Sequence, residues 1–318
     1  MRIEYGEFMS IAPERILVIF PGALGDLICF LPALSALARR HGNATIELMT
    51  RGELARFAEG RLGVAQGHEI DRPEVSLLFS EADDAATQAS SFFGGFTRIY
   101  SFFAADNPVV RRVLARACNG PTSFHPFRPI VFHGNGHVPS AYLRSLGEAE
   151  TVSPSQMPIT LLADDLAGAS RALASHGLKS GESVLLMPGS GSSSKNWPPE
   201  RFADLASLLS AHCAPLILLG PAETALEPFF HQTGLPVLED LELGEVAALA
   251  RMARAFVGND SGVSHLAAAV ATPGVVIFGP TDAARWRPLG KVTVLSHLPL
   301  ADLSASEVAS ALTELLRD

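Results

Sequence analysis

Four short stretches of this chain place small, hydroxylated or charged residues just after apolar strands, and the first suits a diphosphate. In Pro188-Gly189-Ser190-Gly191-Ser192-Ser193-Ser194-Lys195-Asn196-Trp197-Pro198-Pro199, two glycines let backbone amides approach a ligand. Ser192 and its neighbours add hydroxyl donors, and Lys195 adds a point positive charge. The spacing is not that of a P-loop, and the same composition also suits a flexible Ser/Gly loop. In Val257-Gly258-Asn259-Asp260-Ser261-Gly262-Val263-Ser264-His265, an apolar strand runs into a helix start that Asp260 or Ser261 can cap. The freed amides and the positive helix end would form an anion site there. His265 lies four residues after Ser261, on the same helix face. An ordinary capped helix with a buried histidine would read the same way. In Phe278-Gly279-Pro280-Thr281-Asp282, Thr281 and Asp282 follow another apolar strand. Gly220-Pro221-Ala222-Glu223 places Glu223 where it can accept hydrogen bonds from ribose hydroxyls. Any helix start favours an acid, but these junctions follow successive strands and so share one sheet edge.

The N-terminal junction differs. Pro21-Gly22-Ala23-Leu24-Gly25 forms a turn of small residues, and Asp26 then opens an apolar helix. The turn is not GxGxxG, so no dinucleotide site is read from it. Asp26 either compensates the helix dipole or faces a cleft as a general base. No Asp-x-Asp occurs, so a metal held by that carboxylate pair is not expected. Lys195 and helix dipoles would then offset the charge of a departing diphosphate.

The elements that must position these residues alternate in type. Strands are predicted at 15–20, 45–49 and 97–102, with helices at 27–40 and 108–118. Further strands are predicted at 183–187, 215–219, 255–257 and 274–278. Helices are predicted at 199–211, 222–233, 243–253, 261–270 and 304–317, the last opened by a Ser304/Glu307 capping box. Strands separated by helices imply parallel sheets, hence an α/β fold. The small, polar stretch from Glu148 to Pro158 marks a linker, giving domains 1–155 and 156–318.

Composition bounds the partners. The chain has 318 residues, 47% hydrophobic and 18% charged, with a net charge of −9. It is long enough for two domains at ~150 residues each. No basic face for nucleic acid is evident. No lysine precedes Lys179, and Arg98, Arg111, Arg112, Arg116 and Arg128 fall close together. Arginine forks suit planar anions, but the plainer reading of such a run is a solvated face. The three cysteines, Cys29, Cys118 and Cys213, are widely spaced and read as free thiols. With no signal-like start and no long apolar run, a cytoplasmic chain is expected, with peripheral contact at the inner membrane left open.

Taken in order, these motifs resemble glycosyltransferase family 9, the ADP-heptose:lipopolysaccharide heptosyltransferases. The resemblance rests on Gly22-Ala23-Leu24-Gly25-Asp26 with Leu31-Pro32-Ala33-Leu34, and on Pro188-Gly189 through Lys195-Asn196-Trp197-Pro198. It continues through Val257–Gly262 with His265-Leu266-Ala267-Ala268-Ala269, and Phe278–Asp282 with Trp286. It implies a GT-B fold, two Rossmann-like domains facing a central cleft, with the last helix crossing back to the first domain. It implies inverting, metal-independent transfer from ADP-heptose to a lipopolysaccharide core or related, lipid-linked glycan. By position, Asp26 becomes the general base, and Ser192, Lys195 and the Ser261 and Gly262 amides hold the diphosphate. Glu223 meets ribose or sugar, Asp260 and His265 complete the donor pocket, and Gly25, Thr281 and Asp282 line the cleft. Two departures are visible: Phe20-Pro21 where relatives often carry a basic residue, and Ser261 where threonine is usual. A nucleotide-sugar epimerase and a non-catalytic nucleotide-sugar binding protein are alternatives on the same fold.

Overall fold

The computed structural model describes residues 14–128, 136–149, 151–153 and 159–317. The first half runs β1 (Arg15–Ile19), α1 (Leu24–His41), β2 (Thr45–Thr50), α2 (Gly52–Ala58), β3 (Gln66–Glu69), α3 (Pro73–Leu77), α4 (Ala85–Phe93), β4 (Arg98–Ser101), α5 (Pro108–Ala117), β5 (Thr122–Phe124) and α6 (Val138–Ser145). Its parallel sheet has the order β3-β2-β1-β4-β5. Strand β1 is apolar throughout after Arg15 because helices cover both faces. Ile16 and Val18 join the core beneath α1, while Leu17 and Ile19 join a second core with Phe93 and Val110.

The second half runs α7 (Ala163–Ala174), β6 (Ser183–Met187), α8 (Pro199–Leu209), β7 (Ala214–Leu218), α9 (Glu227–Thr233), β8 (Val237–Leu238), α10 (Leu243–Met252), β9 (Ala255–Asn259), α11 (Gly262–Ala269), β10 (Gly274–Phe278), α12 (Ala283–Trp286), β11 (Val292–Ser296) and α13 (Ala305–Arg317). Its parallel sheet has the order β11-β10-β9-β6-β7-β8. In each half the strand order reverses beside the first strand, at β1/β4 and at β6/β9. Such reversals splay the connections apart and leave a crevice at the carboxyl ends of the strands.

Helix α1 of the first half packs against α11 of the second, so the two crevices face each other. Glycine permits the approach: a Cβ on Gly262 would lie 2.9 Å from Leu24 Cβ and 3.0 Å from the Gly25 nitrogen. One apolar core spans the contact, from Leu27 and Phe30 on α1 to Leu266 and Ala267 on α11.

Two expectations change. The last helix does not cross back. Its apolar stripe, Ala305, Val308 and Leu312, joins Leu300 and Leu303 in the core of the second sheet, where α13 packs on α8, β10 and β11. The helix expected at 222–233 is a 3-10 turn at Pro221–Glu223 followed by α9, whose start is set by Pro228 in its first turn. The boundary expected at 155/156 lies outside the described residues.

Candidate active site

The loop after β6 is fixed at both ends by one side chain. Asn259, fully buried at the end of β9, donates from Nδ2 to the Pro188 carbonyl at 2.7 Å and accepts the Trp197 N–H on Oδ1 at 3.0 Å. Trp197 is itself fully buried, and its indole N–H donates to the Leu303 carbonyl at 3.0 Å. Between these anchors, Ser190 Oγ donates to Asn196 Oδ1 at 2.6 Å, and Gly191 to Ser194 stay exposed. A 3-10 turn at Ser193–Lys195 then carries Lys195 Nζ to 2.8 Å from Asp260 Oδ2. That ion pair bridges the β6/β9 crevice. Asp260 is 7% exposed and Lys195 is 33% exposed, so the cation keeps a solvent-facing side.

Helix α11 begins next to Asp260. Ser261 Oγ caps it by accepting the Ser264 N–H, and Ser264 Oγ donates to the Asn259 carbonyl at 2.7 Å. The first amides of α11 therefore point into the cleft, with the positive helix end behind them. His265, one turn on, is buried and lies with Nδ1 3.6 Å from Cys29 Sγ on α1. Burial pushes its pKa down to about 4, so the ring is neutral near pH 7.

The opposite wall is the start of α1. Asp26 is 6% exposed, and its Oδ2 accepts from the Ala23 N–H at 3.3 Å and from Arg128 Nη2 at 3.2 Å. Its other oxygen, Oδ1, is buried with no hydrogen-bond partner among the described residues. Asp26 as a residue also lines the cleft, where a carboxylate can accept a proton.

A cavity of about 370 Å³ gathers Gly25, Asp26 and Arg128 with Ser192, Lys195, Asp260, Ser261, Gly262, His265, Thr281 and Trp286. A second, of about 260 Å³, adjoins it across Gly25, Gly191 and Gly262. Its wall is apolar, with Met187, Leu218, Leu241, Leu243 and Val263, and Glu223 at its polar side. Glu223 Oε2 accepts the Gly220 N–H at 2.8 Å, and burial pushes its carboxyl above the usual range. Gly189 makes room for it, since a Cβ there would stand 2.2 Å from the Glu223 carboxylate. One lobe thus offers a slot for a flat apolar group, and the other offers a cation, helix amides and a carboxylate.

Asp282 is not brought to the cleft. It is exposed, and its carboxylate accepts the Ala284 N–H at 2.9 Å as the cap of α12. Of the arginine run, only Arg128 reaches the cavity. Arg111 lies 4.6 Å over the Phe124 ring, while Arg112 and Arg116 line a separate groove with Glu81 and Asp83. Sequence reasoning missed the clamp by Asn259 and the pairing of Arg128 with Asp26. The first had a signal, an amide ending an otherwise apolar strand; the second joins residues far apart in sequence and had none. Among the described residues, no group of three or more His, Cys, Asp or Glu side chains could hold a metal ion, and no helix is long and apolar enough to cross a membrane.

The sequence pattern of glycosyltransferase family 9 (heptosyltransferase) matches residues 149–310. Lipooligosaccharide heptosyltransferase 2 of Haemophilus ducreyi is 25% identical, over 89% of this chain and 88% of that protein. Lipopolysaccharide heptosyltransferase 1 of Escherichia coli K12 is 28% identical over 42% of this chain and 44% of that protein. Among solved structures, a family 9 glycosyltransferase from Veillonella parvula superposes with a TM-score of 0.78 at 20% identity, covering 97% of this chain and 99% of that one. The E. coli ADP-heptose lps heptosyltransferase II gives 0.74 at 18% identity, covering 95% and 98%. The two facing sheets are those of the GT-B fold.

Proposed function

The chain belongs to glycosyltransferase family 9, a family of heptosyltransferases, and from that premise we propose that it transfers heptose from ADP-heptose to a lipopolysaccharide-core or related glycan. The observation that carries the reading is the Asp26 carboxylate, on one wall of a cavity whose other wall holds Lys195 and the start of α11. In this reading residues 1–155 take the acceptor and residues 156–318 take the donor. The nucleoside fills the apolar lobe, with Glu223 accepting from a ribose hydroxyl. The diphosphate meets Ser192, Lys195 and the Ser261 and Gly262 amides, while Asp260 holds Lys195 in place.

The reaction is a single displacement. The acceptor hydroxyl gives its proton to the Asp26 carboxylate as its oxygen bonds to the anomeric carbon. The bond from that carbon to the diphosphate breaks, and ADP leaves with the electron pair. Lys195 and the α11 dipole offset the added charge, which assigns them the part that a bound metal would otherwise play. Arg128 holds the Asp26 carboxylate in place at the cleft wall. A lipid-linked acceptor would be met at the inner face of the membrane, with the enzyme held there peripherally.

Titration with ADP, UDP and GDP in the absence of metal tests the donor half of this reading. ADP should bind preferentially, and Lys195→Ala should weaken it by at least about tenfold. Asp26→Asn should lower turnover roughly 10²–10⁴-fold while leaving ADP affinity nearly unchanged. Turnover at the wild-type rate in Asp26→Asn would remove the base, and a preference for UDP or GDP would remove ADP-heptose as donor.

A further inference from the structure

Cys29 and His265 meet where the two halves touch. Cys29 lies on α1, one turn beyond Asp26, and is 2% exposed; His265 lies on α11, one turn beyond Ser261, and is 4% exposed. The sulfur stands 3.6 Å from Nδ1, within reach of a thiol hydrogen bond, and Nδ1 has no other partner among the described residues. The opposite side of the ring faces the cleft: a Cβ built on Gly25 would lie 3.7 Å from His265 Cδ2, and the residue lines the cavity that holds Asp26 and Lys195.

We propose that Cys29 is a positioning residue for His265, its S–H donating to Nδ1 so that the imidazole turns an Nε2–H toward the donor's diphosphate or its sugar. The inference rests on the transferase reading for its consequence, but its geometry does not depend on it. The alternative tautomer would have Nδ1–H donate to sulfur and leave a bare Nε2 lone pair facing an anion site. A neutral imidazole nitrogen is a far better acceptor than a thiol sulfur, and a lone pair beside Lys195 and the amides of α11 would repel the anion those groups collect. Both partners are uncharged in this setting: burial holds the ring neutral and, with the Asp26 and Asp260 carboxylates, holds the thiol protonated. A hydrogen bond to one ring nitrogen fixes which nitrogen carries the proton. Because the thiol belongs to one half and the imidazole to the other, the N–H is aimed only when α1 and α11 are docked.

Long-range ¹H–¹⁵N spectra of ¹⁵N-histidine protein at pH 7 read the tautomer directly, with His265→Gln identifying the signal. The wild type and Cys29→Ser should show Nε2–H, and Cys29→Ala should show a mixture of the two neutral forms. Steady-state assays should then show kcat reduced about fivefold in Cys29→Ala, with KM for the donor changed less, and restored in Cys29→Ser. An Nδ1–H tautomer in the wild type overturns the proposal. So does a wild-type tautomer in Cys29→Ala, or an equal loss of kcat in the alanine and serine variants, either of which would make Cys29 a packing residue. A protein that binds no ADP would remove the transferase reading instead, while the tautomer, observed without ligand, would still decide the role of Cys29.

Discussion

Asn259 shows how one amide can shape a catalytic loop. Its two hydrogen bonds tie the first and last parts of the Pro188–Trp197 segment to β9, so the stretch between them bulges into the cleft with Lys195 at its end. Asn259→Ala would leave the Pro188 carbonyl and the Trp197 N–H buried without partners. We expect a loss of roughly 2–4 kcal/mol in urea unfolding at an unchanged m-value. ADP affinity should fall as well, because the loop would no longer present Lys195. A loss below about 1 kcal/mol with full ADP affinity would show that the loop holds itself. His265 gives a second residue-scale expectation. Its folded pKa is about 4, below the ordinary 6.5, chiefly through burial. Unfolding therefore takes up a proton across that window, and the group's contribution to stability, complete above 6.5, is lost as pH falls toward 4. The melting temperature of wild type should drop more between pH 7 and pH 4.5 than that of His265→Gln, and parallel curves would refute the assignment.

At the scale of elements, the contact of α1 with α11 decides whether the cleft exists. Gly262→Ala would drive a methyl into Leu24 Cβ and against the Gly25 backbone. Turnover should fall by at least an order of magnitude, whereas Gly191→Ala, whose Cβ meets nothing within 4 Å, should fold with unchanged stability. Wild-type turnover in Gly262→Ala would mean that the helix starts need not touch. The same elements explain what could be read in advance. Strands β1, β6 and β10 are apolar runs ended by Gly or Pro turns, and their bounds were legible almost to the residue. Strand β3, Gln66-Gly67-His68-Glu69, has no apolar residue to alternate, and only pairing with β2 makes it a strand. Strand β8 has two residues and no period at all. Asp26, Lys195, Asp260 and Ser261 were legible because each sits just beyond an apolar strand, where the fold leaves a crevice. Asp282 occupies the same kind of position but caps a four-residue helix, since an acid at a helix start looks alike whether it serves a ligand or an amide. The return of the last helix, expected from resemblance, fails because α13 carries an apolar stripe that its own sheet already covers.

At the scale of the whole molecule, with α13 spent on the second half, other contacts must set the angle between the halves. Apart from the α1/α11 contact, Arg61 just beyond α2 grips Asp165 on α7 through two hydrogen bonds, 2.6 and 2.8 Å. The pair is shielded, with side chains 16% and 4% exposed, and the Leu162 N–H also donates to Asp165 at 2.9 Å. Burial opposes the charge on Asp165, but Arg61 and the Leu162 amide outweigh it and hold the carboxyl below its usual range. Asp165→Ala strands the Arg61 guanidinium and should cost roughly 3 kcal/mol, while Arg61→Met/Asp165→Ala, which leaves no charge unpaired, should lose less. The depressed pKa fixes the sign with acid: the pair's contribution is complete above the unfolded carboxylate range and is lost as pH falls through the folded value. Wild type should therefore lose stability on acidification more steeply than the double variant. Small-angle scattering at neutral pH separates a latch from a local staple. If the pair sets the cleft angle, Asp165→Ala should show a larger radius of gyration than wild type, and added ADP should not close it fully. If the radius is unchanged while stability falls, the pair holds α7 to its neighbours and the cleft angle is set by other contacts, α1 with α11 among them.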